Sequence, residues 1–243
     1  MKSRKLKRSV LYIVGVITLL VLGFFLYVGN YYSAHKNLSE YSQLYNNTQI
    51  EDYKDYTRIA GSEATNKGFV FYPGGKVEHT AYIPLLATLA EQGYVCFLAK
   101  MPFHLAVFNM NAANDIIRNN HQITEWYIGG HSLGGAMASV YASKNSDQLR
   151  GIIFLGAYPS SDLSDTGLKM ISIYGENDLI INRDKLEETR VNAPSGSFYY
   201  EMEGANHGGF GDYGPQKGDG EAEISGIEQR KETVRIIIKE LGQ

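Results

Sequence analysis

The chain has 243 residues, 44% of them hydrophobic and 12% aromatic, which is enough for one substantial core and too little for two comfortable domains. Five basic residues, Lys2, Arg4, Lys5, Lys7 and Arg8, precede residue 9 with no acid among them, and the remainder carries an acidic excess without a basic patch. That balance excludes nucleic acid as the partner, and the single cysteine, Cys96, excludes an intramolecular disulfide.

No residue from Ser9 to Ala34 is charged, and Val10 to Val28 is apolar apart from Gly15, Thr18 and Gly23. At a rise of ~1.5 Å per residue this run extends roughly 28 Å, close to the ~30 Å hydrocarbon core of a bilayer. It is longer than the apolar region of a secretory signal, and no small-x-small cleavage site follows it, so an uncleaved membrane anchor through residues 10–28 is expected. The positive-inside rule then assigns residues 1–8 to the cytoplasm, residues 9–32 to the membrane and everything beyond to the outer side, with Tyr27, Tyr31 and Tyr32 at the far interface.

Residues 33–66 are polar and tyrosine-rich with few periodic apolar positions, which reads as a stalk followed by an edge strand near Tyr53–Ala60. Over residues 67–243 short apolar strands alternate with helical patterns. Gly68–Tyr72 is a strand ending in Pro73-Gly74-Gly75, Ala81–Gln92 a helix closed by Gly93, and Tyr94–Ala99 a strand in which Cys96 reads as a buried thiol. Leu105–Asn119 follows as a helix and Trp126–Gly129 as a strand. Gly151–Gly156, Lys169–Tyr174 and Ser197–Met202 are further strands, and a last helix covers Ile224–Leu241. Near-continuous apolar strands separated by helices indicate a mostly parallel sheet covered on both faces, with functional residues at the carboxyl ends of the strands.

Gly130-His131-Ser132-Leu133-Gly134 sits between the Trp126–Gly129 strand and a helix of small residues. That is the context of a nucleophile elbow, in which flanking glycines let strand and helix approach while the serine adopts strained angles. Ser132 is therefore the candidate nucleophile, and the Leu133 N–H at the helix N-terminus a candidate donor to a developing oxyanion. A serine hydroxyl needs a base, and the base needs a carboxylate to fix its tautomer. Asp178, just past the Lys169–Tyr174 strand, is the candidate acid, with Glu176 close enough to compete for the role. His207, just past the Ser197–Met202 strand, is the candidate base; of the other five histidines none combines a post-strand loop with a position downstream of the acid. The second oxyanion donor is expected after the Gly68–Tyr72 strand, at Gly75 or alternatively Lys76. The order Ser132, Asp178, His207 is that of the α/β-hydrolase arrangement.

Residues from about Phe69 to Ile238 resemble the α/β-hydrolase superfamily, and within it the bacterial group related to dienelactone hydrolases. The resembling segments are Phe71–Val77, Lys100–Pro102, Gly130–Gly135, Tyr174–Asp178 and Gly204–Gly214. The resemblance implies an α/β-hydrolase fold and a serine triad of Ser132, Asp178 and His207 working without metal or organic cofactor. Dienelactone hydrolases themselves use a cysteine nucleophile, so a general carboxylic ester is the expected small-molecule substrate. A peptidase or acyltransferase on the same triad, or a silent binding module, are the other readings. The short segment Tyr158–Leu168 leaves no room for a large lid, and the glycine- and acid-rich loop Phe210–Glu223 matches no calcium-loop spacing and reads as solvated or flanking the substrate.

Overall fold

The computed structural model describes residues 2–242; the side chains of residues 1–10, the basic tail among them, and Gln243 lie outside that description. Two compact units divide between Tyr31 and Tyr32. The first holds helix α1 (Lys2–Gly29), whose stretch Leu11–Gly29 has a mean hydropathy of 2.6 and is long and apolar enough to cross a membrane. Leu11, Leu19, Leu20 and Leu26 on it are largely exposed, an apolar surface that water would penalise.

The second unit is built on an eight-stranded sheet in the order β1-β2-β4-β3-β5-β6-β7-β8. Its strands are β1 (Thr48–Asp52), β2 (Tyr56–Gly61), β3 (Lys67–Tyr72), β4 (Val95–Ala99), β5 (Glu125–His131), β6 (Gly151–Leu155), β7 (Lys169–Gly175) and β8 (Phe198–Met202). From β4 to β8 all neighbours run parallel, whereas β2 joins β4, and β1 joins β2, antiparallel. The period of two along a strand sorts side chains between two cores. In β3, Phe69 and Phe71 face one side, where α3 (Ile83–Ala90) and α7 (Gly226–Leu241) contribute Leu85, Leu86, Val234 and Ile237. Val70 and Tyr72 face the other side, with Ile116 of α4 (Ala112–Asn119) and Ala138 and Tyr141 of α5 (Leu133–Ala142). Each fully buried aromatic or aliphatic side chain there stabilises the fold by roughly 1.5–3 kcal/mol. The start of α7 is set by a capping box, in which Ser225 and Glu228 satisfy each other's backbone amides.

Two segments differ from the sequence expectation. Residues 33–66 are packed: α2 (Leu38–Leu44), begun by a capping box on Asn37 and Glu40, is followed by β1 and β2. Tyr41 is fully buried and donates its hydroxyl proton to Asp212 Oδ2 at 2.8 Å. Burial opposes the charge on Asp212, but the Tyr41 hydroxyl, the Arg230 guanidinium and His35 outweigh it and hold the carboxyl below the ordinary carboxylate range. The second difference is Leu105–Asn119, where only Ala112–Asn119 is α-helical and the chain before it makes tight turns at Pro102–His104 and Ala106–Phe108. Phe103 and His104 both have φ of 56°, in the left-handed region. Tertiary bonds hold this path: the Lys76 amide donates to the His104 carbonyl, and the Tyr72 hydroxyl donates to the Met110 carbonyl while accepting from the Ala113 amide.

Candidate active site

β5 ends at His131 and α5 begins at Leu133, so Ser132 must turn the chain in a single residue. It does so with φ 52° and ψ −123°, a conformation that L-residues occupy only when their surroundings impose it. What imposes it is a bond from the Ser132 amide to the Leu155 carbonyl of β6 at 2.9 Å, with the first turn of α5 closing behind it through Ala136 N–H to Ser132 O at 3.1 Å. The turn tolerates no side chain at its flanks. A Cβ at Gly130 would stand 2.6 Å from the Gly134 carbonyl carbon, and one at Gly134 would collide with the Tyr72 carbonyl.

The loop after β8 brings His207 to the same end of the sheet. Its Nδ1 lies 2.8 Å from Asp178 Oδ2, and both side chains are removed from solvent. A carboxylate can only accept, so His207 Nδ1 donates and the lone pair is on Nε2, which is buried and makes no hydrogen bond. Ser132 and His207 line one cavity of about 290 Å³. Leu133, Ala136, Ala157, Ile180 and Ile181 supply its apolar wall, and Tyr158, Ser160 and Asn182 its polar one.

The other oxygen of Asp178 accepts from the amides of Ile180 and Ile181 at 2.9 and 2.8 Å, so the carboxylate both closes its own turn and grips His207. Glu176, the competing acid, is committed elsewhere, accepting from the Gly204 amide at 3.0 Å. On the opposite side of the elbow, Gly75 lies against Leu133: a Cβ built on it would come 2.9 Å from Leu133 Cδ2. Its amide makes no hydrogen bond among the described residues, whereas that of Lys76 is consumed by the His104 carbonyl at 2.8 Å. Of the two candidates for the second oxyanion donor, Gly75 and Lys76, only Gly75 keeps an N–H without a partner among the described residues. The Leu133 amide opens α5 and has no carbonyl one turn back to receive it.

One contributor escaped the sequence reading. Asp219, in the acidic loop Phe210–Glu223, accepts from the amides of His207 at 3.3 Å and Gly208 at 2.8 Å, and from Leu179 beside Asp178 at 3.4 Å. One carboxylate therefore ties the histidine loop to the aspartate loop. No local motif marks it, because its partners in the histidine and aspartate loops lie 11 to 40 positions away. Among the described residues, no group of three or more His, Cys, Asp or Glu is arranged to hold a metal ion.

The pattern of the alpha/beta hydrolase family matches residues 68–231, and the chain belongs to that family. Solved structures similar to it include a CIB-like hydrolase from Thermoplasma acidophilum, 17% identical with a TM-score of 0.55 over 80% of this chain and 96% of that one. Est1E from Butyrivibrio proteoclasticus is 13% identical, with a TM-score of 0.55 over 81% of this chain and 100% of its own. A protein from Acinetobacter baumannii assigned as a lipase is 13% identical, with a TM-score of 0.57 over 86% and 100%. At these identities the likeness is one of fold. No curated protein matches the chain.

Proposed function

We propose that the protein is a membrane-anchored serine hydrolase acting on small carboxylic esters. The observation that carries this reading is His207, bonded through Nδ1 to buried Asp178 and lining the same cavity as Ser132. In the proposed reaction the Ser132 oxygen forms a bond to the ester carbonyl carbon while its proton passes to His207 Nε2, and the carbonyl electron pair moves onto oxygen. The Leu133 and Gly75 amides receive that oxyanion. Collapse of the intermediate breaks the bond to the alcohol, which leaves with the proton from His207. Water then attacks the acyl-enzyme by the same route in reverse, releasing the acid and restoring serine. Asp178 keeps the imidazole in the tautomer that can accept, and stabilises the imidazolium once formed. The cavity volume favours a small acyl group over a peptide or a long acyl chain.

The detergent-solubilised full chain should hydrolyse short p-nitrophenyl esters, and a fluorophosphonate probe should label it at Ser132. Absence of both turnover and labelling would end the reading. The anchor and its orientation are part of the proposal: with the span Leu11–Gly29 in the bilayer and residues 1–8 on its cytoplasmic side, the hydrolase domain is extracytoplasmic. Protease added to intact cells stripped of any outer barrier should digest that domain; digestion only after lysis would reverse the topology.

A further inference from the structure

His131 is a fully buried histidine directly beside the proposed nucleophile, and the reaction above gives it no task. Its ring centroid is 4.4 Å from that of His207. Burial first, and His207 second, lower its pKa well below the ordinary histidine value, so the ring is neutral. The surrounding bonds tie that ring to the oxyanion loop through Tyr82. The Gly74 amide donates to the Tyr82 hydroxyl oxygen at 3.1 Å, and the same hydroxyl lies 2.8 Å from His131 Nδ1. Tyr82 is itself fully buried. With the ring proton on Nδ1 the Tyr82 hydroxyl accepts from it; with the proton on Nε2, which is buried and has no hydrogen-bond partner among the described residues, the hydroxyl donates to Nδ1, and each tautomer leaves one buried proton unpaired. In either tautomer the hydroxyl is bonded to Nδ1, and the chain runs from the Gly74 N–H through the Tyr82 oxygen to His131.

This chain ends at the residue before Gly75. Gly74 is held at both ends, because its carbonyl also accepts from the Val77 amide at 3.3 Å. The peptide between Gly74 and Gly75 is planar and trans, so its C=O and N–H point in opposite directions. With the Gly74 carbonyl turned toward Val77, the Gly75 N–H is fixed on the other side. Lys76 completes the turn with φ of 59°, its own amide bound to His104.

We infer that Tyr82 and His131 are positioning residues that clamp the oxyanion loop to the nucleophile elbow, so that the side chain next to Ser132 sets the direction of the Gly75 N–H. This rests on the serine-hydrolase reading of the site. It gives both oxyanion donors one origin: the Leu133 amide follows Ser132 in the elbow, and the Gly75 amide is aligned by the residue that precedes it.

The test uses the full chain in detergent and three single variants, Tyr82→Phe, His131→Leu and His131→Asn. Tyr82→Phe and His131→Leu should lower kcat for a p-nitrophenyl ester by ~10- to 100-fold with KM changed less than about threefold, a smaller loss than the ~10²- to 10³-fold for deleting an oxyanion donor outright. A trifluoromethyl ketone carrying the same acyl group, which forms a hemiketal oxyanion on the serine, should weaken as an inhibitor in step with kcat/KM. His131→Asn places an amide oxygen near the former Nδ1 and should recover most of the rate, and the double variant Tyr82→Phe/His131→Leu should be no slower than the worse single one. Thermal unfolding reports that each variant is folded; should Tyr82→Phe not fold, the contrast between His131→Leu and His131→Asn decides. Folded Tyr82→Phe or His131→Leu protein with kcat within twofold of wild type, or with unchanged ketone inhibition, overturns the clamp while leaving the hydrolase intact. A wild type that neither turns over esters nor takes the fluorophosphonate label removes the hydrolase reading, and the clamp with it.

Discussion

Alanine in place of Ser132 is expected to lower kcat for short esters by at least ~10³-fold, with the protein still folded. The size follows from the proposed division of labour: without the hydroxyl there is no acyl-enzyme, and what remains is the background rate from binding and the oxyanion donors. The fold should survive because the contacts that force Ser132 to φ 52° are made by its backbone, through the Leu155 carbonyl and the Ala136 amide, and alanine keeps both. The Cβ is retained too, so the strain at this residue is unchanged. The comparison is made on purified protein, with kcat measured beside the thermal unfolding midpoint. A folded Ser132→Ala protein with activity near wild type would sink the assignment of the nucleophile.

A loss of about 10⁴-fold is expected for Asp178→Asn, with Glu176→Gln staying within a few-fold of wild type. Asparagine can leave its oxygen where the Ile180 and Ile181 amides need an acceptor, which turns its NH₂ toward His207 Nδ1. A donor now faces the position that carried the ring proton. The imidazole answers by placing its proton on Nε2, where it can no longer take one from Ser132. Glu176 has no such leverage, since glutamine can still accept from the Gly204 amide. Steady-state kinetics on both variants separate the two carboxylates, and the reverse ranking would transfer the acid role to Glu176.

How far the site can be read from sequence depends on how local its signals are. Ser132 is conspicuous because two glycines, a strand and a helix surround it within a dozen residues. Asp178 and His207 are found because each follows an apolar strand, and a parallel sheet delivers strand ends to one edge. Tyr82 leaves no such trace, since its bond to His131 crosses 49 positions and nothing near it in the chain distinguishes it from any core tyrosine. Asp219 is hidden for the same reason among the acids of a glycine-rich loop. In the fold, the parallel strands are legible from their unbroken apolar runs. Residues 33–66 are less so, because the hydroxyl of buried Tyr41 finds its partner 171 positions away at Asp212, and a tyrosine-rich polar segment looks the same whether solvated or docked. Residues 105–111 have helical composition but bend instead, so that the Met110 carbonyl meets Tyr72 just after His104 has met Lys76.

The bonds that seat the beginning of the second unit also fix the order in which it can be completed. Tyr41 pairs with Asp212 across 171 positions, and the Tyr32 hydroxyl accepts from the Lys217 amide across 185. Loops of that length close slowly and only after the intervening chain has been made. During N-to-C synthesis, then, the Tyr32 and Tyr41 side chains emerge early in this unit and are among the last to find their hydroxyl partners. Until Asp212 and Lys217 arrive, Tyr41 and Tyr32 lack these partners and the apolar core that Tyr41 helps to fill stays incompletely covered, and exposed apolar surface is where a nascent chain is most prone to wrong association.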